Sequence, residues 1–344
     1  MPKTSKLLVI ALGGNALTPH HFVSQSGGGR DGFEEQVKNV ENTSKLLAKV
    51  IKKGFKVVIT HGNGPQVGNI LLQQEYSKDQ VSPMPLSICG AQSQGQIGTM
   101  LVEALNNELK LQNLAQNTVS LITHVLVDQK DPAFQNPTKP IGPIYTPNEI
   151  KKLKKQGQVF KEIMVGAFRR VVPSPLPLKI LELKAIKGLL EKNLIPVACG
   201  GGGIPIIAGQ GKLKLVDAVI DKDLASQALA NEIKADALII LTDVKKAALN
   251  FGKPNQEWLN KLTLQEAKQY LKEGHFLKGS MGPKVTAAIK FIENGGKKAV
   301  IAHLKDLMPA LKGKAGTTII QNSKININKT SGKPSRRCRD GFPE

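Results

Sequence analysis

The amino-acid sequence predicts an α/β protein built around a mostly parallel β-sheet. Two observations lead to this prediction: apolar runs of strand length recur along the chain, and segments with apolar residues every three or four positions lie between them. At 344 residues, the chain is also long enough to bury a large core. The predicted strands are residues 7–12, 55–60, 120–127, 195–199, 237–241, 299–302 and 317–320.

Helices are predicted between these strands from periodicity and from end signals. An apolar stripe over residues 37–51 is typical of a helix that packs one face on a sheet. Thr263 and Glu266 have the spacing of a capping box, which marks a helix start. Pro283 is expected to open another helix, and that helix should end at Asn294.

The pattern changes between residues 131 and 177, where a proline-rich stretch precedes a lysine-rich one. Long excursions from a compact domain are often functional, so a small subdomain at about residues 130–175 is expected to protrude over a site. Residues 321–344 are polar, basic and without periodicity, which predicts a disordered basic tail.

Composition excludes several classes of protein. No apolar run approaches the ~20 residues of a membrane span, so we expect neither an anchor nor a membrane partner. Cys89, Cys199 and Cys338 are widely separated and show no CxxC spacing, which argues against a disulfide framework or a zinc site. The sequence therefore favours a cytoplasmic protein.

The net charge of +21, from 48 basic and 27 acidic residues, has two explanations. One is nucleic-acid binding, but such proteins usually add arginine and aromatic stacking residues, and aromatic residues make up only 4% of this chain. The other is a lysine-rich solvated surface that also attracts anionic substrates, and we favour it.

Glycine clusters are predicted at the ends of strands, where an α/β sheet binds its ligands. Glycine lets backbone N–H groups approach a phosphate closely, although one such turn alone is a weak signal. Together the clusters predict an anion site. They are Gly13-Gly14-Asn15, Gly62-Asn63-Gly64, the segment 90–98, which is expected to open a helix, and residues 200–203, which include Gly201 and Gly202.

Familiar nucleotide motifs are missing. The chain has no GxxxxGK[ST] sequence and no ordered set of protein-kinase motifs. The glycines at 62, 64 and 68 could suggest a dinucleotide site, but the acidic residue expected about 20 positions later is replaced by a loop at 80–83. A dehydrogenase is therefore the weaker interpretation.

Phosphoryl transfer needs cations that neutralise the moving group and a carboxylate that holds those cations in place. Lys222 lies between two aspartates, at 221 and 223, at a predicted helix start. Lys284 follows a proline at another helix start, and Lys139 lies between prolines. Most lysines are solvated surface charges, and Asp221 and Asp223 could both be simple helix caps.

These motifs together resemble the carbamate kinases of the amino-acid kinase family. The resemblance runs from about residue 7 to about residue 320, and only the tail lies outside it. It rests on ALGGNAL from Ala11, THGNGPQVGN from Thr60, SQGQIG from Ser93, DPAFQNPTKPIGP from Asp131, RRVVPSP from Arg169, CGGGGIP from Cys199, AVIDKDLAS from Ala218, NFGKPNQ from Asn250 and GSMGPK from Gly279. Thr99, Gly166, Ala247 and Ala248 differ from the residues usual in that family.

The resemblance implies roles for individual residues. Lys222 and Lys284 would stabilise the transferred group, Asp223 would orient them, and Lys139 would act from the acceptor side. The acceptor would be cradled by Gly13, Gly14, Asn15, Gly62, Asn63, Gly64, Ser93, Gln94, Gly201 and Gly202. The nucleotide would lie against Lys222, Thr242, Asp243, Met281 and Lys284, with Mg²⁺ bridging its phosphates.

The resemblance also implies a fold and a reaction. The fold would be a three-layer αβα sandwich with a mostly parallel open sheet and a protruding subdomain. Residues 1–212 would bind the acceptor and residues 213–320 the nucleotide, in a homodimer. The reaction would be reversible phosphoryl transfer between carbamoyl phosphate with ADP and carbamate with ATP, within arginine or carbamoyl phosphate catabolism. A catalytically impaired nucleotide-binding regulator and a basic nucleic-acid-binding protein are the alternatives.

Overall fold

The computed structural model describes residues 5–14, 17, 32–155, 157–277 and 279–321. Its main sheet has eight strands in the order β15-β17-β16-β12-β1-β2-β9-β3, and all neighbouring pairs except β16–β17 are parallel. The predicted mostly parallel α/β sheet is thus confirmed. Its strands are β1 (Leu7–Leu12), β2 (Lys56–His61), β3 (Thr118–Ser120), β9 (Ile195–Val197), β12 (Ala237–Thr242), β15 (Lys261–Thr263), β16 (Lys298–His303) and β17 (Thr317–Ile320).

Helices cover both faces of this sheet, which makes the three predicted layers. The bounds of the helices are α1 (Gly32–Lys52), α2 (Gly64–Ser77), α3 (Leu86–Leu111), α4 (Pro147–Lys155), α5 (Leu183–Glu191), α6 (Lys222–Glu232), α7 (Leu264–Lys272), α8 (Met281–Glu293) and α9 (Leu307–Leu311). None of the helices in the described part of the chain combines the length and the apolar character needed to cross a membrane.

Strand β1 illustrates how the layers form. Leu8, Ile10 and Leu12 face a core shared with α1, α3 and α9, whereas Val9 and Ala11 face a core shared with α5, α6 and α8. Successive side chains of a strand point to opposite faces of the sheet, so a continuous apolar run becomes buried on both sides. Four of these five side chains are fully shielded from solvent, and Leu8 is 2% exposed.

Strands from the two ends of the chain occupy separate halves of the main sheet. Strands β3, β9, β2 and β1 form one half, β12, β16, β17 and β15 form the other, and β1 pairs with β12 at the seam. The predicted division of the chain at about residue 212 stays a prediction, but the seam is where the two predicted halves meet.

Among the described residues, three smaller sheets lie outside the main one. An antiparallel sheet β5-β7-β6, with α4, forms its own small core from Ile150, Leu153 and Phe160. Gly166, between β6 and β7, has φ of +73°, a region that favours glycine. The strands outside the main sheet are β4 (His124–Leu126), β5 (Lys139–Tyr145), β6 (Val159–Met164), β7 (Ala167–Val172), β8 (Lys179–Ile180), β10 (Ile204–Gly209), β11 (Lys212–Leu215), β13 (Ala248–Leu249) and β14 (Glu257–Trp258).

Two element predictions were wrong. The run 120–127 is not one strand, because β3 ends at Ser120 in the main sheet and β4 begins at His124 in a second sheet, β11-β10-β4-β8. The segment 90–98 does not follow a strand but lies inside α3. Gly98 is there for packing, because a Cβ at that position would lie 2.1 Å from the hydroxyl oxygen of Ser120.

The end signals of two other helices were confirmed. Thr263 and Glu266 form the predicted capping box at the start of α7. Helix α8 ends at Glu293 with Asn294 as its C-cap, next to the predicted end, but it begins at Met281, two residues before the proline that was expected to open it. Apart from residue 321, the predicted tail over residues 321–344, which includes Cys338, lies outside the described residues.

Candidate active site

The candidate site lies at the carboxyl edge of the main sheet, where several turns and helix starts meet. Parallel strands end at a common edge, so the turns after β1, β2, β9 and β12 are neighbours. Helix α6 begins there at Lys222 and α8 begins at Met281. The N-terminus of a helix carries a partial positive charge, which suits a bound anion.

A lysine pair shares one buried carboxylate between the two helices. Lys222 Nζ lies 2.5 Å from Asp223 Oδ1, and Lys284 Nζ lies 3.1 Å from Asp223 Oδ2. Asp223 is only 2% exposed. The carboxylate thus accepts hydrogen bonds from both ammonium groups. Its negative charge offsets the repulsion between these two positive charges and holds them near each other.

The ionisation of this cluster follows from burial and charge. Burial alone would raise the pKa of Asp223, but the ammonium groups of Lys222 and Lys284 lower it from 3.8 to about 2. Burial is also the largest influence on Lys222, and it lowers the pKa of that lysine, helped by the charge of Lys284. Both pKa values shift downward for different reasons: for Lys222 burial outweighs the attraction of Asp223, whereas for Asp223 the two neighbouring cations outweigh burial.

A cavity of about 220 Å³ opens beside this pair. The glycine turn after β1 lines this cavity. A Cβ at Gly13 would lie 2.7 Å from the carbonyl oxygen of Leu241, so only glycine allows the ends of β1 and β12 to lie this close together. The lining residues are Gly13, Gly14, Lys222, Leu241, Thr242, Asp243, Gly279, Ser280, Lys284 and Leu304.

The Lys222 side chain passes over the turn that follows β2. A Cβ at Gly62 would lie 3.1 Å from Lys222 Cδ, so the lysine stem packs against bare backbone there. The first turn of α6 is tied to the same strand, because the hydroxyls of Thr60 and Ser226 are 2.6 Å apart and Ser226 donates to the Lys222 carbonyl. These contacts fix the direction in which Lys222 extends.

His61, at the end of β2, is a neutral part of this scaffold. It is 1% exposed, and its Nδ1 lies 2.8 Å from the Gly62 carbonyl oxygen, to which it donates. Burial is the main reason that its pKa falls from 6.5 to about 4, with the charge of Lys222 adding to the decrease. A charged imidazole is therefore absent near neutral pH.

A group of hydrogen-bonded polar residues, Asn63 and Ser93, lies on the side of the site away from β12. Asn63 Nδ2 donates to Ser93 Oγ at 2.8 Å, and Ser93 in turn donates to the Gly90 carbonyl at 2.6 Å. Gly201 has φ of +63°, and a Cβ there would lie 2.1 Å from Asn63 Nδ2. The turn after β9 and the turn after β2 are thus in direct contact, and glycine is required for it.

Lys139 joins the site from the β5-β7-β6 sheet. Its Nζ lies 2.8 Å from Asp221 Oδ2, and Asp221 is the residue before α6. The three lysines singled out from the sequence therefore gather on two carboxylates, Asp221 and Asp223, at one helix start. Lys222 and Lys284 line the cavity, whereas Lys139 is not among its described lining residues, so the convergence of all three lysines on one phosphate-sized gap stays a prediction.

The other predicted residues divide into three groups. Thr242 and Asp243 line the cavity, as expected for residues near a nucleotide. Gln94 is buried and uses its amide on the Thr123 backbone, and Met281 starts α8 and packs against the core. The positions left are Gly64, which begins α2, Gly202, which lies under the Ile220 carbonyl, and Asn15, which lies outside the described residues. Their ligand contacts stay predictions.

Sequence reasoning missed several residues that shape the site. Thr123 accepts from the Cys199 N–H through its hydroxyl and so supports the glycine turn after β9. Cys199 itself is in the left-handed region with φ of +51°. Leu304 follows β16 at the carboxyl edge of the sheet and lines the cavity. Its position after a predicted strand was the available signal, but an isolated leucine does not suggest a ligand.

Known proteins resemble this chain over most of its length. Residues 6–303 match the model of the Amino acid kinase family. The carbamate kinase of Pyrococcus horikoshii is 50% identical over 315 residues, covering 91% of this chain and 98% of that protein. A carbamate kinase-like protein of Escherichia coli, YqeA, is 45% identical over 321 residues, covering 92% of this chain and 100% of that protein.

A solved structure agrees with the fold as well as the sequence. The structure of carbamate kinase from Giardia lamblia bound to AMP-PNP has 44% sequence identity and a TM-score of 0.85, covering 93% of this chain and 99% of that one. The family match and the shared arrangement of sheet and helices lead to one conclusion. This chain belongs to the amino acid kinase family.

Proposed function

We propose that this chain is a carbamate kinase, which transfers a phosphoryl group reversibly between carbamoyl phosphate and ADP to give carbamate and ATP. The observation that supports this most directly is the pair of lysines held by Asp223 at the edge of a glycine-lined cavity. Phosphoryl transfer is accelerated mainly by positioning and by charge neutralisation, and this cluster supplies both. The similarity to carbamate kinases over nine-tenths of the chain supports the choice of substrate.

In this proposal, the lysine pair stabilises the group in transfer. The bond between phosphorus and the carbamoyl oxygen breaks while a bond to the terminal ADP oxygen forms, and carbamate leaves with the electron pair. Lys222 and Lys284 face the oxygens of the moving group, on which negative charge is spread. Asp223, ionised above pH of about 2, keeps both ammonium groups aimed at one place.

The acceptor side of the proposed site uses different residues. Carbamate is a small anion, so the cation of Lys139 and the N–H groups of the glycine turns suit it. Asn63 and Ser93 are hydrogen-bonded to each other and line this side of the proposed site. Gly201 has no side chain, which allows the turn after β9 to contact Asn63. Gly14, Asn15, Gly62, Gly64, Gln94 and Gly202 keep their predicted places in this cradle as parts of the proposal.

The nucleotide is proposed to enter over the end of β12. Thr242 and Asp243 border the cavity there, and Met281 begins the helix that carries Lys284. The structure of carbamate kinase from Giardia lamblia was solved bound to AMP-PNP, which supports a nucleotide as one ligand of this chain. Residues 1–212 and 213–320 would then serve acceptor and nucleotide respectively.

Mg²⁺ fits this proposal as a companion of the nucleotide. Within the described ranges, no group of three or more His, Cys, Asp or Glu side chains could hold a metal ion by itself. Mg²⁺ usually binds through substrate phosphates and one or two carboxylates, and Asp243 at the cavity is a suitable carboxylate. The ion would neutralise phosphate charge.

Three further parts of the proposal do not concern the site itself. They are homodimer formation, a cytoplasmic location and a role in arginine or carbamoyl phosphate catabolism.

A coupled assay for ATP formation tests the proposal. Purified protein is given ADP, Mg²⁺ and carbamoyl phosphate, and acetyl phosphate replaces carbamoyl phosphate in a parallel reaction. We expect rapid ATP formation with carbamoyl phosphate and a much lower rate with acetyl phosphate. Lys222→Met should lower kcat by about 10²–10³-fold, as expected when one charge-stabilising group is removed.

The matched control is Lys272→Met, which removes the same charge from the exposed last turn of α7. Its kcat should equal that of the unaltered protein. A protein that binds ADP in calorimetry but forms no ATP from either donor would contradict the proposal and favour a nucleotide-binding regulator.

A further inference from the structure

Asp221 uses its two carboxylate oxygens on two different parts of the molecule. Oδ1 caps α6, because it accepts from the N–H groups of Asp223 at 2.9 Å and Leu224 at 3.4 Å. Oδ2 accepts from Lys139 Nζ at 2.8 Å. One side chain therefore links the β5-β7-β6 sheet to the helix that carries Lys222 and Asp223.

We propose that Asp221 is a positioning residue that holds the Lys139 ammonium in place on the acceptor side of the phosphoryl group in transfer. This inference rests on the proposed function, and it assigns Asp221 a task beyond helix capping. Lys222 and Lys284 share Asp223, whereas Lys139 has Asp221 as its carboxylate partner. A lysine side chain is long and flexible, so its ammonium needs a fixed partner to act at one point.

The surroundings of the pair make it more than a chance surface contact. Two residues before Asp221, the Val219 N–H donates to the Pro173 carbonyl at 2.9 Å, just after β7 ends. Val219 also packs against a core cluster that contains Ile141 of β5. The backbone segments that carry Lys139 and Asp221 are therefore already fixed relative to each other, and little freedom is lost when the pair forms.

The competing interpretation is that Asp221 only caps α6. Capping requires one oxygen, and asparagine and serine cap helices about as well as aspartate. Asp221→Asn can keep the acceptor that α6 uses and replace the oxygen that Lys139 uses by an NH₂ group. The variant therefore separates the two tasks of this residue.

We expect Asp221→Asn to lower kcat/KM for carbamoyl phosphate by about 10–100-fold, because a small misplacement of a charged group at a reacting centre has an effect of this size. The KM for ADP should change by less than about twofold, and the Tm by less than about 2 °C, since the cap is retained. Asp221→Ser, which also caps, should give the same kinetic loss.

Asp236 offers a matched control. It has the same two-way arrangement, since Oδ2 accepts from the Leu7 N–H at 2.9 Å and Oδ1 from Lys297 Nζ at 2.7 Å. It lies before β12, at the opposite edge of the main sheet from the cavity. Asp236→Asn should leave both the kcat/KM for carbamoyl phosphate and the KM for ADP unchanged.

Two further measurements decide between positioning and capping. In a protein that already carries Lys139→Met, Asp221→Asn should have no additional effect on kcat/KM, because the group it positions is gone. Acetylation of Lys139 by a water-soluble acylating reagent, followed by peptide mass spectrometry, should be faster in Asp221→Asn than in the unaltered protein.

The acetylation measurement does not require activity. If the unaltered protein makes no ATP, the proposed function fails, while faster Lys139 acetylation in the variant still supports the tie to Asp221. Unchanged acetylation of Lys139, or equal losses from Asp221→Asn with and without Lys139, would overturn the inference.

Discussion

Asp223→Asn is the most informative single substitution in this protein. The change keeps the shape of the side chain but removes the charge that Lys222 and Lys284 share. Two ammonium groups are then left beside each other with little solvent, since each lysine side chain is 15% exposed. The loss should therefore appear both in stability and in turnover.

Its size can be worked out in two ways. The pKa of Asp223 falls from 3.8 to about 2, and each pKa unit corresponds to about 1.4 kcal/mol, so the ionised carboxylate contributes about 2 kcal/mol after its burial has been subtracted. Removing one member of a buried ion pair usually costs about 3–5 kcal/mol. The expected decrease in the free energy of unfolding is thus about 2–5 kcal/mol.

Turnover should fall more steeply than nucleotide binding. We expect kcat to drop by about 10²–10³-fold, because neither lysine remains aimed at the moving group. ADP should bind at least as tightly as before, because the substitution removes a negative charge from a phosphate site. Urea denaturation, calorimetry with ADP and the coupled ATP assay measure the three quantities.

A matched control comes from an exposed ion pair. Glu293 lies 2.5 Å from Lys268, and both side chains are well exposed, so Glu293→Gln should change the free energy of unfolding by less than about 1 kcal/mol. If Asp223→Asn retained kcat within threefold and unfolded at the same urea concentration as the unaltered protein, the account of the lysine pair would be refuted.

Three further predictions follow from single contacts. His61 has a folded pKa of about 4 against 6.5 unfolded, so the unfolded chain protonates first as pH falls, and about 3 kcal/mol of stability present above pH 6.5 should be lost by pH 4. His61→Gln should flatten that part of the curve of unfolding free energy against pH, and an unchanged slope would contradict this. Gly201→Ala should raise the KM for carbamoyl phosphate about tenfold, because the added Cβ would clash with Asn63. In the control variant Gly188→Ala, the new Cβ lies in open space on α5, so the KM should stay unchanged and the Tm should stay the same or rise. Thr60→Val leaves a buried partner hydroxyl without its donor, so it should lower the unfolding free energy by about 1–3 kcal/mol in urea titrations, and a loss below 0.5 kcal/mol would argue against the hydrogen bond.

The sheet was predictable where a strand is buried on both faces. Residues 7–12 form a strand with the predicted bounds, because a continuous apolar run leaves few alternatives. Residues 317–320 also form a strand with the predicted bounds, although only alternate residues of that strand are fully buried. The run 120–127 failed for a physical reason. An apolar run does not say which sheet each part joins, and residues 121–123 carry the chain from the main sheet to another one.

The site was predictable to the level of residue types and element ends, but not to the level of partners. Local sequence showed that Lys222 lies between two aspartates at a helix start, and α6 begins there. It did not show that Lys139, 82 positions before Asp221, would pair with it. Such pairs depend on how separate sheets pack, and that information is spread over the cores of the whole chain.

The tripeptide at 221–223 accounts for much of the electrostatic design of the site. At a helix start the residues at 221 and 223 point in different directions, so Asp221 reaches Lys139 of the small sheet while Asp223 reaches Lys284 of α8. One turn of α6 therefore sets the distance between charges that come from three separate elements. Because the two carboxylates are separated by a single residue, inserting one alanine after Lys222 would rotate Asp223 by about 100° around the helix axis. Such an insertion should abolish turnover even in a folded protein, whereas an alanine inserted at the exposed end of α7 should not.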